Sequence, residues 1–136
     1  MVDTVTTRTL FDGERKLITS YINVSDGTGG TTKIVDVSTL NTNNKGQTCT
    51  TVTLSKVWFN VSAGVTAPVQ LQWDLTSGTQ TPLLSLNYDD TYDFSTIGGI
   101  GNPKETNYSG DIDVVVPGAA SSGETYTLLC EWVKNY

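Results

Sequence analysis

Hydrophobic and polar residues alternate along much of the chain, and this period of two predicts β-strands rather than helices. The clearest case covers residues 69–75, where apolar side chains occupy every second position: Val69, Leu71, Trp73 and Leu75. Near the C-terminus a second set shares one strand face: Tyr126, Leu128, Cys130 and Trp132. Leu129 and Val133 lie on the other face of that strand, which we therefore expect to be partly covered on both sides.

The run from residue 49 to residue 61 predicts a strand with one irregularity. Its apolar side chains occupy even positions at first and odd positions later: Val52 and Leu54, then Val57, Phe59 and Val61. A β-bulge adds one residue to a strand and restores a single buried face. We therefore predict a bulge at Ser55–Lys56.

Turn signals separate the predicted strands. Asp12–Gly13 is a two-residue hairpin signal between apolar flanks, and further Gly-, Asn- and Ser-rich stretches recur along the chain. Many short strands with regular turns predict an all-β fold, a single antiparallel β-sandwich of about eight strands that is jelly-roll-like. Residues 1–11 are expected to form an extended N-terminal arm or edge strand, and residues 12–136 the sandwich domain.

One segment interrupts the alternation. Residues 88–109 read YDDTYDFSTIGGIGNPKETNYS, with several glycines, a proline and little periodicity. This composition predicts one long ordered loop. We expect the loop to dock on the domain, because its apolar side chains Phe94, Ile97 and Ile100 need burial.

Charge excludes some partners. The formal net charge is −6 and the pI is about 4.3, and such a field repels phosphate backbones, so no nucleic-acid partner is expected. The N-terminal residues lack the basic and apolar regions of a signal peptide, and no stretch is long enough to span a membrane. We therefore expect synthesis in a cytoplasm and no membrane partner.

The residue types argue against catalysis. The chain has no histidine, which excludes Ser-His-Asp and Cys-His nucleophiles and His-ligated zinc. Two cysteines, Cys49 and Cys130, are too few for a tetrahedral zinc site. They are expected to be free apolar fillers, with a disulfide between them as the alternative. We expect no catalytic residue, no cofactor and no metal.

Two groups of carboxylates are close together in the sequence. Asp89, Asp90 and Asp93 cluster in the predicted loop, and Asp111 and Asp113 share one face of a strand. We interpret them as solvated aspartates. The alternatives are a Ca²⁺ site, which needs oxygen ligands, and a glycosidase pair of carboxyl groups.

The three tryptophans differ in their predicted environment. Trp73 and Trp132 lie on apolar strand faces, so core packing is a better account of them than a sugar-stacking platform. Trp58 lies opposite the apolar face of its strand. It is either an exposed anchor for a partner or part of a second buried layer.

Several segments resemble small virion structural proteins of tailed bacteriophages, especially those that infect marine and freshwater cyanobacteria. The segments are MVDTVTTRTLFDGERK, YINVSDGTGG, KVWFNVSAGV, VQLQWD and YDFSTIGGIGNPKETNYSGDIDVVVPGAASSGETYTLLCEWVK. Together they cover most of the chain. The resemblance is one of pattern and order, and it brings no catalytic residue with it.

The resemblance implies a capsid decoration, or cement, protein on the outer capsid surface, made in the host cytoplasm. Its expected partners are the major capsid protein and copies of itself. Because an extended arm permits strand exchange between copies, a homotrimer is expected, with a dimer or a monomer as the alternatives. A neck, tail or fibre-associated adaptor is the alternative, and a carbohydrate-binding module is the third hypothesis. The residues expected to contact other proteins are Val5, Thr7, Leu10, Phe11, Trp58, Tyr92 and Phe94.

Overall fold

The computed structural model describes residues 4–24, 29–61, 69–76, 81–101, 107–116 and 125–136. The described strands are β1 (Thr4–Asp12), β2 (Lys16–Val24), β3 (Gly30–Val35), β4 (Thr51–Val61), β5 (Val69–Leu75), β6 (Thr81–Leu86), β7 (Asp89–Asp93), β8 (Tyr108–Val116) and β9 (Thr125–Asn135). Two single 3₁₀ turns, Val37–Thr39 and Ser95–Ile97, accompany them. Several predicted turns, including residues 62–64 and 117–123, lie outside the described residues.

The strands form two antiparallel sheets. One has the order β1-β2-β9-β4-β7 and the other β3-β8-β5-β6. When β1 is set aside, the four strands β2-β9-β4-β7 and the four strands β3-β8-β5-β6 have the strand order of a jelly roll. The predicted all-β sandwich is therefore confirmed. Strand β1 is an addition at the edge of the larger sheet, where it pairs with β2.

The core lies between the sheets and takes alternate side chains from both. Strand β9 buries every residue predicted to face inward, and β5 buries Val69, Leu71 and Leu75 while Trp73 is partly buried. The indole of Trp132 is fully buried and donates a hydrogen bond to Thr19 Oγ1 at 3.0 Å. The expected cover over the outer face of β9 is wrong at Val133, which is exposed, whereas Leu129 on the same face is partly buried.

Local irregularities occur where the sequence predicted them. The β4–β9 register shifts between Leu54 and Lys56, so the apolar residues on both sides of the shift face the core. The predicted turn at Asp12–Gly13 joins β1 to β2, and the Gly13 N–H donates to the Lys16 carbonyl at 2.9 Å. Both features follow from local sequence.

The segment predicted as one long loop is more regular than expected. Its residues 89–93 form the short edge strand β7, which pairs with β4 from Lys56↔Asp93 to Asn60↔Asp89. This strand was not predicted, because a polar edge strand carries no apolar alternation. Residues 102–106 lie outside the described residues.

The chain after β7 docks against β4, as expected for this segment. The Ile100 N–H donates to the Leu54 carbonyl, and the Leu54 N–H donates to the Ile100 carbonyl, both at 2.9 Å. Gly99 has a φ of +84°, and a Cβ there would lie 2.8 Å from the Leu54 carbonyl oxygen, so the approach requires glycine. Phe94 and Ile100 pack on the core, but the expected burial of Ile97 is wrong because its turn faces solvent.

Both cysteines are buried free thiols, which confirms the preferred prediction over a disulfide. Burial raises the pKa of Cys130 to about 12 and also raises that of Cys49. Because the thiolate is the reactive form, neither cysteine is suited to nucleophilic or redox chemistry. They pack as small apolar side chains.

Candidate protein-binding surface

The residues predicted to contact other proteins lie at the two opposite edges of the five-stranded sheet. Strand β1 carries the first group at one edge: Val5, Thr7, Leu10 and Phe11. The second group lies on β4 and around β7 at the other edge: Trp58, Tyr92 and Phe94. The structure therefore places them on two surfaces rather than on one.

Strand β1 is exposed on both of its faces. Every residue from Thr4 to Phe11 is exposed, and Leu10 and Phe11 keep 55% and 52% of their surface accessible. Thr7 pairs with Tyr21, so both side chains point to the same face of the sheet. Tyr21 is buried and Thr7 is not. The strand therefore extends beyond the cover that the second sheet provides.

The other described edge strands carry features that oppose further strand pairing. Strand β7 has five residues and contains three aspartates, β6 contains Pro82, and β3 carries Lys33 beside a register shift. Charge, proline and bulges are the devices that protect sheet edges. Strand β1 has Arg8 as the only charged residue between Thr4 and Phe11, and its bulge lies near its end, between Thr9 and Phe11. It is the least protected of the described edges.

Near the opposite edge Trp58 faces solvent. Of the two alternatives predicted for it, the structure therefore has the exposed position and not a second buried layer. It is 38% exposed and lies on the outer face, directly between Leu129 of β9 and Thr91 of β7. Tyr92 and Phe94 are partly buried instead and pack on the core. The Tyr92 ring makes edge-on contacts with Phe59 at 5.1 Å and with Phe94 at 6.0 Å between ring centroids. The rings of Tyr92 and Phe94 face the core, so Trp58 is the most accessible of these three aromatic side chains.

A buried ion pair, absent from the sequence predictions, anchors one end of β1. The Lys134 side chain is fully buried, and its Nζ donates to Asp12 Oδ1 at 2.5 Å and to the carbonyls of Gly13 and Asn41 at 2.9 and 2.8 Å. Burial acts to lower the pKa of Lys134, but the hydrogen bond and charge of Asp12 outweigh it, and the pKa rises. The β1–β2 hairpin is thereby attached to β9.

The carboxylates divide into two groups. Asp89, Asp90 and Asp93 are exposed, as predicted. The predicted solvation of Asp111 and Asp113 is wrong, because both are buried on the outer face of the four-stranded sheet. Strand β8 lies between β3 and β5, and Lys33 of β3 reaches across it to Asp111 and to Asp74 of β5.

Lys33 neutralises only part of the negative charge of Asp111, Asp113 and the nearby Asp74. Its Nζ lies 2.8 Å from Asp111 Oδ2 and 3.4 Å from Asp74 Oδ2, and the hydrogen bond to Asp111 is the main reason that its pKa is raised. Asp111 also accepts from the Val37 N–H at 2.9 Å. For Asp113 burial, with the charge of Asp74, raises the pKa to about 6 against the opposing charge of Lys33.

No group of three or more metal-ligating side chains comes together among the residues that the structure describes. In the same part of the chain, no helix is long and apolar enough to cross a membrane. Two exposed features of the five-stranded sheet are suited to binding: the edge strand β1 and, near the opposite edge, Trp58. Comparisons with protein-family models, with curated proteins and with solved structures found no match for this chain.

Proposed function

We propose that this chain is a structural protein of a tailed-bacteriophage virion, a capsid decoration protein that binds the outer capsid surface. The resemblance of its sequence pattern to small virion proteins suggests that the chain is part of a virion. The exposed edge strand β1 suggests how it binds. The proposed partner of β1 is the major capsid protein.

The observation that carries the proposal is the exposed strand β1, the least protected of the described sheet edges. An edge strand presents a row of unpaired backbone N–H and C=O groups, and an extended segment of a partner adds to it as a further strand. Main-chain hydrogen bonds then give affinity, and exposed side chains such as Val5 and Phe11 give specificity. The anchoring of Asp12 by Lys134 holds the docking strand in place before the partner arrives.

The strand order is consistent with this role by analogy. Jelly rolls are common in viral capsid proteins and also in lectins. A fold by itself does not establish a function, so the analogy supports the proposal without carrying it. A rigid sandwich with few charged residues suits broad contacts on a protein shell.

Counting the copies of this chain in purified particles by quantitative mass spectrometry tests the proposal. A capsid decoration protein is expected at a copy number comparable with that of the major capsid protein. A copy number typical of a tail or neck would instead support the adaptor alternative and contradict the proposal. Absence of the chain from the particle would contradict both.

The docking role of β1 is tested by Thr7→Lys. A lysine in the middle of an edge strand opposes strand addition, and we expect binding to particles that lack this chain to weaken at least about tenfold. Co-sedimentation with such particles measures it. Ser85→Lys, an exposed position on the edge strand β6, is the matched control and should bind normally. Equal binding by both variants would exclude a role for β1.

Association into a homotrimer stays a prediction from the sequence. Light scattering on the purified chain measures it directly. A mass of three chains would support it, and a monomer at high concentration would contradict it.

A further inference from the structure

An open groove of about 360 Å³ lies over Trp58 on the outer face of the five-stranded sheet. We call it the Trp58 groove, and its lining residues are Trp58, Phe59, Asn60, Asp89, Asp90, Thr91, Thr127 and Leu129. We propose that this groove binds a neutral saccharide. The volume is at the lower end of the range for small-ligand sites, about 300–1,000 Å³, which suits one or two sugar residues.

The indole of Trp58 supplies the apolar part of the site. It stands on the outer face between Leu129 and Thr91, its direct neighbours on β9 and β7, and 38% of its surface is accessible. A pyranose ring has an apolar C–H face that packs on an aromatic face, while its hydroxyl groups project from the rim. A flat aromatic side chain with polar neighbours in an open groove fits such a ligand.

The polar side chains of the site lie on the same three strands, β4, β7 and β9, two residues along from Trp58 and its neighbours. Asn60 is paired with Asp89 on β7 and with Thr127 on β9, so these three side chains share the outer face with Trp58. Residues paired across strands lie about 5 Å apart. A carboxylate accepts hydrogen bonds, while an amide and a hydroxyl can both donate and accept. This mixture matches sugar hydroxyls, which also donate and accept.

The charges in the groove favour a neutral ligand. None of the described residues that line the groove is basic, and the neighbouring Lys56 Nζ lies 3.9 Å from Asp93 and 4.0 Å from Glu131. Anionic ligands such as phosphate would therefore meet carboxylates without a cation. Asp90 is paired with Phe59 on the inner face and accepts a hydrogen bond from the Thr91 N–H at 2.7 Å. Asp89 is thus the one carboxylate of the lining on the outer face, which is a weak basis for selecting a cation.

The groove is built on three paired strands of the five-stranded sheet. Strand β4 lies between β9 and β7 in the sheet, and the Tyr92–Phe59 ring contact supports β7 from the core side. The site is also independent of the proposed docking edge, because β1 lies at the opposite edge of the same sheet. A chain attached through β1 keeps the Trp58 groove free.

The test is a glycan array probed with the full chain, followed by calorimetric titration of the best neutral saccharide. Removal of the stacking surface in Trp58→Ala is expected to weaken binding at least about tenfold, whereas Trp58→Phe should retain part of it. Val133→Ala is the matched control, because Val133 is 39% exposed on the same outer face but does not line the groove. Its affinity should equal that of the unmodified chain.

The affinity for a neutral saccharide should also be insensitive to ionic strength, since no ion pair forms. Binding to a neutral glycan that Trp58→Ala abolishes would support the proposal. It would be overturned by the absence of glycan binding, by binding that Trp58→Ala leaves unchanged, or by salt-sensitive binding restricted to cationic ligands such as a lysine-rich peptide. The decoration role is tested by the copy number in the particle, so a lack of saccharide binding would not contradict that role.

Discussion

Lys134→Met is expected to lower the free energy of unfolding by about 3–5 kcal/mol, because the largely buried Asp12 carboxylate loses its positively charged partner and keeps the hydrogen bond from the Asn41 N–H. The lost interactions are the ion pair with Asp12 and the hydrogen bonds to the Gly13 and Asn41 carbonyls. Methionine matches the length of the lysine stem, so the change removes charge rather than volume. Urea unfolding at pH 7, followed by circular dichroism, measures the effect.

The control for this substitution is Lys16→Met. Lys16 lies 3.0 Å from Glu131, but its side chain is 56% exposed, and surface ion pairs contribute only about 0–1 kcal/mol. Both substitutions remove one positive charge from a lysine next to a carboxylate. If they destabilise the domain equally, the buried pair is not the anchor described above, and the hairpin is held by other contacts.

Asp113→Asn is expected to stabilise the domain at pH 8, in contrast to most substitutions of buried residues. The pKa of Asp113 is raised to about 6 in the folded chain, above the value of about 3.9 for an unperturbed aspartate. A raised pKa means that the folded state holds the proton more tightly than the unfolded state. The stability that this carboxyl contributes is therefore full below about pH 4 and is lost as the pH rises through about 6.

Asparagine cannot ionise, so Asp113→Asn avoids this loss. The expected gain is about 1–2 kcal/mol at pH 8, less than the full shift implies because water screens part of the charge. The gain should shrink through pH 6 and vanish near pH 4. Unfolding curves in urea at pH 4, 6 and 8 measure it. A gain of the same size at all three values would show that the charge is not the cause.

Asp111→Asn provides a control on the same strand face. Asp111 is also buried, but it accepts hydrogen bonds from Lys33 Nζ and from the Val37 N–H. Loss of its charge weakens both bonds, and we expect destabilisation by about 1–3 kcal/mol at pH 8. The two neighbouring aspartates should thus respond in opposite directions. Destabilisation by both would mean that Asp113 has a favourable contact in place of an uncompensated charge.

The sequence alone predicted the elements whose evidence is local. Alternation along β5 and β9 identified their buried faces, and the parity change in β4 located the bulge between Leu54 and Lys56. The same parity placed Trp58 on the outer face, where it forms the wall of the groove. These predictions succeeded because successive side chains of a strand point to opposite faces, whatever the strand pairs with.

The alternation of strand faces also indicated that Lys134 is buried, which the sequence predictions did not use. Lys134 follows Trp132 by two residues and therefore lies on the buried face of β9. What makes that position tolerable is Asp12, which is 122 residues away along the chain. The burial of Asp111 and Asp113 likewise depends on neighbouring strands from distant parts of the sequence.

Alternation thus determined the strands that have one buried face, such as β5 and β9, and which face of each is apolar, whereas the polar edge strand β7 had no such signal. Only the tertiary structure decided the order of the strands, and with it which edge is exposed and which charges are paired. The physical reason is that backbone hydrogen bonds between strands are the same for every residue except proline, so a strand's own pattern does not specify its neighbour. The position of β1 at an exposed edge and of β7 beside Trp58 follows from that order.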